Sequence, residues 1–156
     1  MTVPLQRTPR CVADFMTRQA HSVGADQTLA LAEDRMMKLR VQHMPVLHGG
    51  RLVGILNSRD IALIRSVAAD RLGRSTVEEA MTAVPYCVTA EARVAEVARH
   101  MASRKLDSAV VVDSNGNVEG VFTSTHALEI LADLLDQSMP AVEAGGRVRS
   151  ISVARR

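Results

Sequence analysis

Apolar residues follow two patterns along the chain, and each pattern occurs twice. Residues 27–40 and 92–105 carry apolar side chains three or four positions apart, which is the spacing of one face of a helix. Residues 44–47 and 109–112 are short, continuous apolar runs, which are typical of buried strands. The pattern therefore predicts a helix followed by a buried strand in each half of the chain.

Each buried run leads through a turn into a partner strand and a closing helix. Gly49 and Gly50 mark the first turn, and residues 113–116 mark the second. Ser58 and Ser124 stand at the start of the closing helices, where a serine can cap the first turn. The remaining predicted elements are early strands over residues 20–23 and 85–88, partner strands over 52–56 and 118–122, and closing helices over 58–69 and 124–137.

The two halves are copies of each other. Met16 aligns with Met81 at an offset of 65 residues, and after one inserted residue Gly54 aligns with Gly120 at an offset of 66. A unit of about 60 residues rarely closes a hydrophobic core alone, so the two copies are expected to pack on each other about a pseudo-two-fold axis. Clefts between the copies are then candidate ligand sites.

The element order of each half, strand, helix, strand, strand, helix, resembles the cystathionine beta-synthase (CBS) domain. The most specific stretch covers residues 54–61, where a glycine, two apolar residues, a polar exit residue and an aspartate follow in the family's order. Residues 120–127 are its second copy. Two such domains in tandem look like a Bateman module. The resemblance implies an α+β fold of two tandem CBS repeats, β-α-β-β-α each, over residues 8–69 and 76–137.

The exit of the last strand in each repeat has the chemistry of a phosphate site. A strand that runs directly into a helix leaves unpaired backbone N–H groups at the positive end of the helix dipole. Asp60, one turn into the first of these helices, can accept hydrogen bonds from both hydroxyls of a ribose. Arg59 beside it is a candidate phosphate partner.

The resemblance adds a ligand to this chemistry. In the family an adenosine derivative binds with its ribose on the aspartate, its phosphate on the serine or threonine, and its base between apolar early-strand residues. Position by position, this implies Asp60 for ribose, and Asn57, Arg59 and Thr123 for phosphate. The complete set of predicted ligand-binding residues is Val23, Met44, Pro45, Asn57, Ser58, Arg59, Asp60, Thr123, Ser124 and His126.

The two predicted sites differ in one decisive residue. The second repeat has His126 where the first has Asp60. A neutral histidine offers a ribose one acceptor and a protonated histidine offers none. We therefore expect at most one tightly bound nucleoside per chain, held by Asp60.

Composition and charge narrow the class of protein. The 156 residues are 47% hydrophobic, which suffices for one shared core, and two cysteines are too few for a disulfide framework. No apolar run reaches the roughly 18 to 20 residues of a membrane span, and no secretory signal is visible. These features predict a cytoplasmic protein that binds no membrane.

The basic charge is concentrated at the end of the chain. Residues 138–156 hold four arginines and one glutamate, a net charge of +3, while the rest of the chain is close to neutral. With three aromatic residues in the whole sequence, a base-stacking surface for nucleic acid is not expected. Residues 138–156 are predicted to form a flexible C-terminal tail.

Catalysis finds no support in the motifs. No Gly-Lys-Ser or Gly-Lys-Thr follows Gly49 and Gly50, so a P-loop is absent. His43 and His48 lie on opposite faces of a predicted strand, which argues against a shared metal ion. The chain is therefore predicted to be no enzyme and to hold no cofactor or metal.

Two functions from different classes remain open. The first is a stand-alone regulatory module that binds an adenine nucleotide such as AMP, ADP or ATP, or another adenosyl compound, and signals in trans to an unknown regulated protein. As the resemblance implies, it is expected to form a homodimer through the helices that carry Met36 and Met101. The alternative is a ligand-free scaffold in which the paired repeats serve dimerisation alone.

Overall fold

The computed structural model describes residues 10–138, except for the side chain of Ser138. The predicted tail, beyond its first residue, lies outside this range. The described elements are strands β1 (Thr17–Arg18), β2 (Val23–Gly24), β3 (His43–His48), β4 (Arg51–Asn57), β5 (Thr82–Ala83), β6 (Cys87–Val88), β7 (Ser108–Val112) and β8 (Val118–Thr123), with helices α1 (Leu29–Leu39), α2 (Ser58–Ala68), α3 (Val94–Arg104) and α4 (Ser124–Ser138). Short 3-10 turns cover Val12–Asp14, Ala69–Arg71 and Val77–Glu79. The predicted α+β class with two tandem repeats is confirmed.

The strands form two four-stranded sheets that exchange one strand each. One sheet has the order β2-β3-β4-β5 and the other the order β1-β8-β7-β6. Strand β1 therefore belongs to the sheet of the second repeat, where Thr17 pairs with Val121, and β5 belongs to the sheet of the first, where Thr82 pairs with Ile55. The exchange ties the two repeats together through main-chain hydrogen bonds.

Gly54 and Gly120 make room for the exchanged strands. A Cβ atom at Gly54 would lie 2.5 Å from the Sδ atom of Met81 and 2.9 Å from the carbonyl oxygen of Thr82. A Cβ atom at Gly120 would lie 2.5 Å from the carbonyl oxygen of Thr17. Each glycine thus permits the close approach of the opening segment of the other repeat, which is why the position is a glycine in both copies.

Each core also contains side chains from both repeats. Val77, which opens the second repeat, is fully buried in the core of the first, and Val12 is fully buried in the core of the second. Met36 and Met101 are 3% exposed and belong to these cores. Their side chains therefore stabilise the repeats themselves, and a dimer interface on these helices would have to use other residues.

The closing helices are capped one residue earlier than the sequence pattern predicts. Asn57, and not Ser58, caps α2: its side chain accepts a hydrogen bond from the backbone N–H of Arg59. At α4 the backbone N–H of His126 lies 3.5 Å from Oγ1 of Thr123, again one residue before the serine. None of the described helices is both long and apolar enough to cross a membrane.

Candidate functional site

The larger cavity lies at the junction of the two repeats and contains Asp60. This cavity, the Asp60 cleft, has a volume of about 610 Å³. Asn57 and Asp60 line it from the end of β4 and the start of α2, whereas Val84 and Tyr86 line it from the segment that follows β5. Because β5 pairs with β4, the strand exchange carries the opening segment of repeat 2 to the binding motif of repeat 1.

A second, smaller cavity is related to the first by the internal repeat. This His126 cleft has a volume of about 300 Å³ and is lined by Thr123 and His126 of repeat 2 together with Thr17 and His21 of repeat 1. Each cleft thus combines a motif from one repeat with an opening segment from the other. His43 lines both clefts, which places it between the two sites.

Asp60 closes a capping box and still retains acceptor capacity. Its Oδ2 atom lies 3.3 Å from the backbone nitrogen of Asn57 and accepts a hydrogen bond from it. A carboxylate can accept about four hydrogen bonds, so this contact leaves most of its capacity for a ligand. Asp60 is half-buried in the lining of the cleft, where its carboxylate can accept hydrogen bonds from two neighbouring hydroxyls of a ligand.

The amide of Asn57 is oriented by the backbone and in turn orients His43. Since Oδ1 of Asn57 accepts from the N–H of Arg59 at 3.0 Å, its Nδ2 is the atom that donates to Nε2 of His43 at 3.2 Å. The proton of a neutral His43 then resides on Nδ1. Burial lowers the pKa of His43. The carboxylate of Asp107 acts against this and raises the pKa, whereas the cation Arg59 lowers it further.

Arg59 lies outside the lining of the Asp60 cleft and pairs with an acidic residue of that lining. Its Nη1 atom is 3.1 Å from Oδ2 of Asp107, and the Arg59 side chain is 79% exposed. Exposed pairs of this kind contribute roughly 0 to 1 kcal/mol. Arg59 could therefore leave Asp107 for another anion at little energetic cost.

His126 takes over the capping role that Asp60 has in the first repeat. Its Nδ1 atom accepts the backbone N–H of Thr123 at 3.0 Å, so the proton of the neutral ring is on Nε2, which lies 3.4 Å from Oγ1 of Thr17. Burial lowers the pKa of His126, partly offset by Glu129, which raises it. The single acceptor of the ring is therefore used within the protein, and none remains for a ribose.

Five other predicted residues lie elsewhere. Ser58 and Ser124 start their helices but line neither cleft. Val23, Met44 and Pro45 are buried among the strands of the first sheet and also line neither cleft. For Val23 the strand exchange is the reason, because it brings residues of repeat 2, and not the early strand of repeat 1, beside Asp60.

Two aromatic rings that the sequence reasoning did not select form a wall of the Asp60 cleft. Tyr86 and His100 are stacked with ring centroids 4.4 Å apart and an interplanar angle of 21°. Burial raises the pKa of the Tyr86 phenol above its usual range. Both rings line the cleft that contains Asp60. The one signal in the sequence was that Tyr86 is its sole tyrosine, in register with His21 of the other cleft.

The described residues offer binding groups and no metal-binding cluster. Across residues 10–138, no three His, Cys, Asp or Glu side chains lie close enough together to hold a metal ion. Cys87 is exposed as a residue, but its sulfur is partly shielded from water, which raises the pKa of the thiol. The Asp60 cleft instead combines acceptors, the cations Arg104 and Lys105, and a flat aromatic wall.

Comparison with protein families identifies both repeats. The model of the CBS domain matches residues 12–66 and again residues 77–133. Among curated proteins, the CBS domain-containing protein YhcV of Bacillus subtilis is 31% identical over 141 residues, which cover 90% of this chain and 94% of that protein. The homoserine O-acetyltransferase of Methanocorpusculum labreanum is 31% identical over 118 residues, which cover 75% of this chain but 23% of the enzyme.

A solved structure supports the same assignment. The CBS domain pair of protein MJ0100, in complex with 5′-methylthioadenosine and S-adenosyl-L-methionine, superposes with a TM-score of 0.73 at 25% sequence identity. The match covers 81% of this chain and 99% of that one. The two-repeat architecture is therefore shared over nearly the whole of that domain pair.

Proposed function

This chain belongs to the CBS domain family, and we propose that it is a regulatory module that binds an adenine nucleotide or another adenosyl compound in the Asp60 cleft. The observation that carries the proposal is the pairing of chemistries in one cavity. Asp60 supplies acceptors for the hydroxyls of a ribose, and the stacked Tyr86 and His100 supply a flat surface for a base. A nucleoside is the class of ligand that needs both.

The phosphate of a nucleotide has candidate partners in the same cleft. Arg104 and Lys105 line it, and Arg59 is held near it by an exposed ion pair with Asp107. These cations favour AMP, ADP or ATP over an uncharged nucleoside. The MJ0100 domain pair, whose complex contains two adenosyl compounds, supports the same ligand class.

The proposed role is regulation and not catalysis. The relative named as an enzyme is much longer than the part that matches this chain, since the match covers 23% of it. YhcV, by contrast, is matched over 94% of its length and is named for its CBS domains alone. We propose that the module acts in the cytoplasm and passes ligand occupancy in trans to a separate protein.

The proposal includes a homodimer. Large apolar side chains are exposed on two helices that do not bury them in either core: Leu63 and Val67 on α2 are 66% and 78% exposed, and Leu128 on α4 is 65% exposed. A second copy that covers these residues would bury their apolar surface, and each Å² removed from water would stabilise the dimer by about 25 cal/mol. Light scattering on the eluted protein tests this, and a monomer at micromolar concentration would reject it.

Thermal stability in the presence of ligand tests the function. A ligand that binds only the native state stabilises it by RT ln(1 + [L]/Kd), about 2.7 kcal/mol at a hundredfold excess over Kd. We expect at least one of AMP, ADP, ATP and S-adenosylmethionine to raise the melting temperature by several degrees. A flat response to all of these and to cyclic dinucleotides would favour the alternative, a scaffold in which the repeats serve dimerisation alone.

A further inference from the structure

We propose that His43 sets the preference of the Asp60 cleft for phosphorylated over uncharged adenosyl ligands, and that this preference strengthens as the pH falls. The inference rests on the proposed function, because it concerns the ligand of the same cleft. His43 is half-buried, opens β3 and lines both the Asp60 cleft and the His126 cleft. A positive charge on its ring would therefore lie in the wall of both cavities.

The hydrogen bonds of Asn57 favour a neutral His43 in the free chain. The two residues are partners in the pairing of β3 with β4. The amide oxygen of Asn57 already accepts from the backbone N–H of Arg59, so the amide nitrogen faces Nε2 of His43 at 3.2 Å. A proton on Nε2 would set two donors against each other, and the amide could turn to accept it only by giving up the helix cap.

Charged and titratable groups from both repeats surround His43. Burial lowers its pKa, Asp107 and Asp60 raise it, and Arg59 lowers it. The other titratable groups that line the Asp60 cleft are Tyr86, His100, Arg104 and Lys105. Those that line the His126 cleft are His21, Arg40, His126 and Glu129. An anion bound among these groups adds negative charge beside the ring and so favours its protonated form.

A phosphate that raises the pKa of His43 is bound more tightly as the pH falls, because the complex takes up a proton that the free chain does not hold. The gain grows as the pH falls through the raised pKa of the complex, and it is complete below the pKa of the free chain. An uncharged nucleoside adds no charge beside the ring, so its affinity shows no such rise. Protonation of His43 therefore widens the difference between the two classes of ligand.

The fold requires no titratable residue at this position. Ser108 is the equivalent of His43 in the second repeat, at the offset of 65 residues, and it pairs with Thr123 as His43 pairs with Asn57. Ser108 lines the Asp60 cleft but is not part of the lining of the His126 cleft. A serine thus suffices for the strand pairing, and the histidine adds a group that titrates near neutral pH.

Adenosine 5′-sulfate and adenosine separate the charge of the ligand from its other groups. The sulfate ester keeps its negative charge throughout the range of interest, whereas a phosphate ester such as AMP itself titrates at about pH 6. Calorimetric titrations at pH 7.5 and pH 5.5 measure the effect. We expect the affinity of the parent for adenosine 5′-sulfate to rise by about three- to tenfold between these two values, and its affinity for adenosine to stay constant.

His43→Gln is the matched variant. Its side-chain oxygen can accept the hydrogen bond from Asn57 but takes up no proton in this range, and His21, His100 and His126 stay in place. We expect the rise in affinity to be lost. An NMR titration of the His43 ring in the parent gives a second readout that needs no variant: adenosine 5′-sulfate is expected to raise its pKa, and adenosine is not.

Three results would overturn the inference and leave the proposed function intact, since the ligands would still bind. They are a rise of the same size in the parent and in His43→Gln, a rise of the same size for adenosine, and no rise in the parent. A pKa of His43 that adenosine 5′-sulfate leaves unchanged would overturn it as well. A parent that binds neither these two compounds nor AMP, ADP, ATP or S-adenosylmethionine at either pH would overturn both proposals.

Discussion

At the scale of single residues, Asp60 and His126 show how one position can keep its structural role while its capacity to accept further hydrogen bonds changes. Each accepts the backbone N–H of the residue that caps its helix, Asn57 or Thr123. The carboxylate has acceptors to spare after this contact, and the neutral imidazole has none. Either residue can therefore accept the backbone N–H at the helix start, but only the carboxylate can also accept hydrogen bonds from a ribose.

Removing the Asp60 carboxylate should abolish tight binding. Asp60→Ala leaves the ribose hydroxyls without acceptors, and an unmet buried polar group costs about 1 to 3 kcal/mol. We expect AMP affinity to fall by roughly ten- to a hundredfold or more. His126→Ala is the matched control in the other cleft and should change AMP affinity little. Because Asp60→Ala also removes the capping-box hydrogen bond from the backbone N–H of Asn57, circular dichroism should accompany the titration to show that the variant is folded.

The histidines make stability depend on pH. The pKa values of His43 and His126 are lowered in the folded protein, chiefly by burial, so the unfolded chain binds their protons more readily. Above the unfolded pKa of about 6.5, both histidines are neutral in the folded and the unfolded chain, and no stability is lost. As the pH falls below this value towards the lowered pKa values of the folded protein, the unfolded chain takes up protons first and the free energy of unfolding falls. Urea denaturation should therefore give a lower free energy of unfolding at pH 5.5 than at pH 7.5.

A substitution identifies the share of His126 in this effect. His126→Asp supplies a carboxylate that accepts the Thr123 N–H and is charged throughout this pH range, so it should reduce the difference between pH 5.5 and pH 7.5. His43 accounts for what remains. An unchanged difference in His126→Asp would show that His126 does not titrate with unfolding.

At the scale of elements, the sequence pattern predicted the longer helices and strands but missed the two strands that the repeats exchange. The helices and longer strands were predicted to within about two residues because their apolar periodicity spans enough positions to be visible. Strands β1 and β5 have two residues each, too few for any pattern, and were missed. The missed strands are the ones that determine which repeat completes which cleft.

The glycines that admit the exchanged strands are expected to be intolerant of substitution. Gly120→Ala would place its Cβ 2.5 Å from the backbone oxygen of Thr17, which cannot move without disturbing β1. We expect the free energy of unfolding to fall by about 1 to 3 kcal/mol or more. Gly73→Ala, whose Cβ would meet nothing within 4 Å, is the control and should be neutral or slightly stabilising. Equal stability of the two variants in urea would argue against the close packing of β1 on β8.

At the scale of the whole molecule, internal symmetry supplies two clefts and sequence divergence makes them unequal. Asn57 and Asp60 were assigned to a cleft from the strand-exit motif and the family resemblance, because that motif is local in sequence. Val84 and Tyr86 were not, because they lie in the other repeat and reach the cleft through the exchanged strand. Local patterns predict which residues form a motif, and the fold determines what faces it.

Restoring the aspartate should make the second cleft competent. In His126→Asp the carboxylate would accept the backbone N–H of Thr123, as Asp60 accepts that of Asn57, and would keep acceptors for a ribose. We expect the number of AMP molecules bound per chain to rise above that of the parent. The smaller volume of the His126 cleft, about 300 Å³, predicts that the new site is the weaker of the two. No added binding would mean that residues other than His126 also close this cleft to nucleosides.

The measurement that tests the account most directly is a calorimetric titration of the parent chain with AMP, ADP, ATP and S-adenosylmethionine, repeated with Asp60→Ala. The account predicts one tight site per chain for at least one of these compounds, and its loss in Asp60→Ala. Two equal sites in the parent, undiminished affinity in Asp60→Ala, or no heat of binding with any of the four would contradict it.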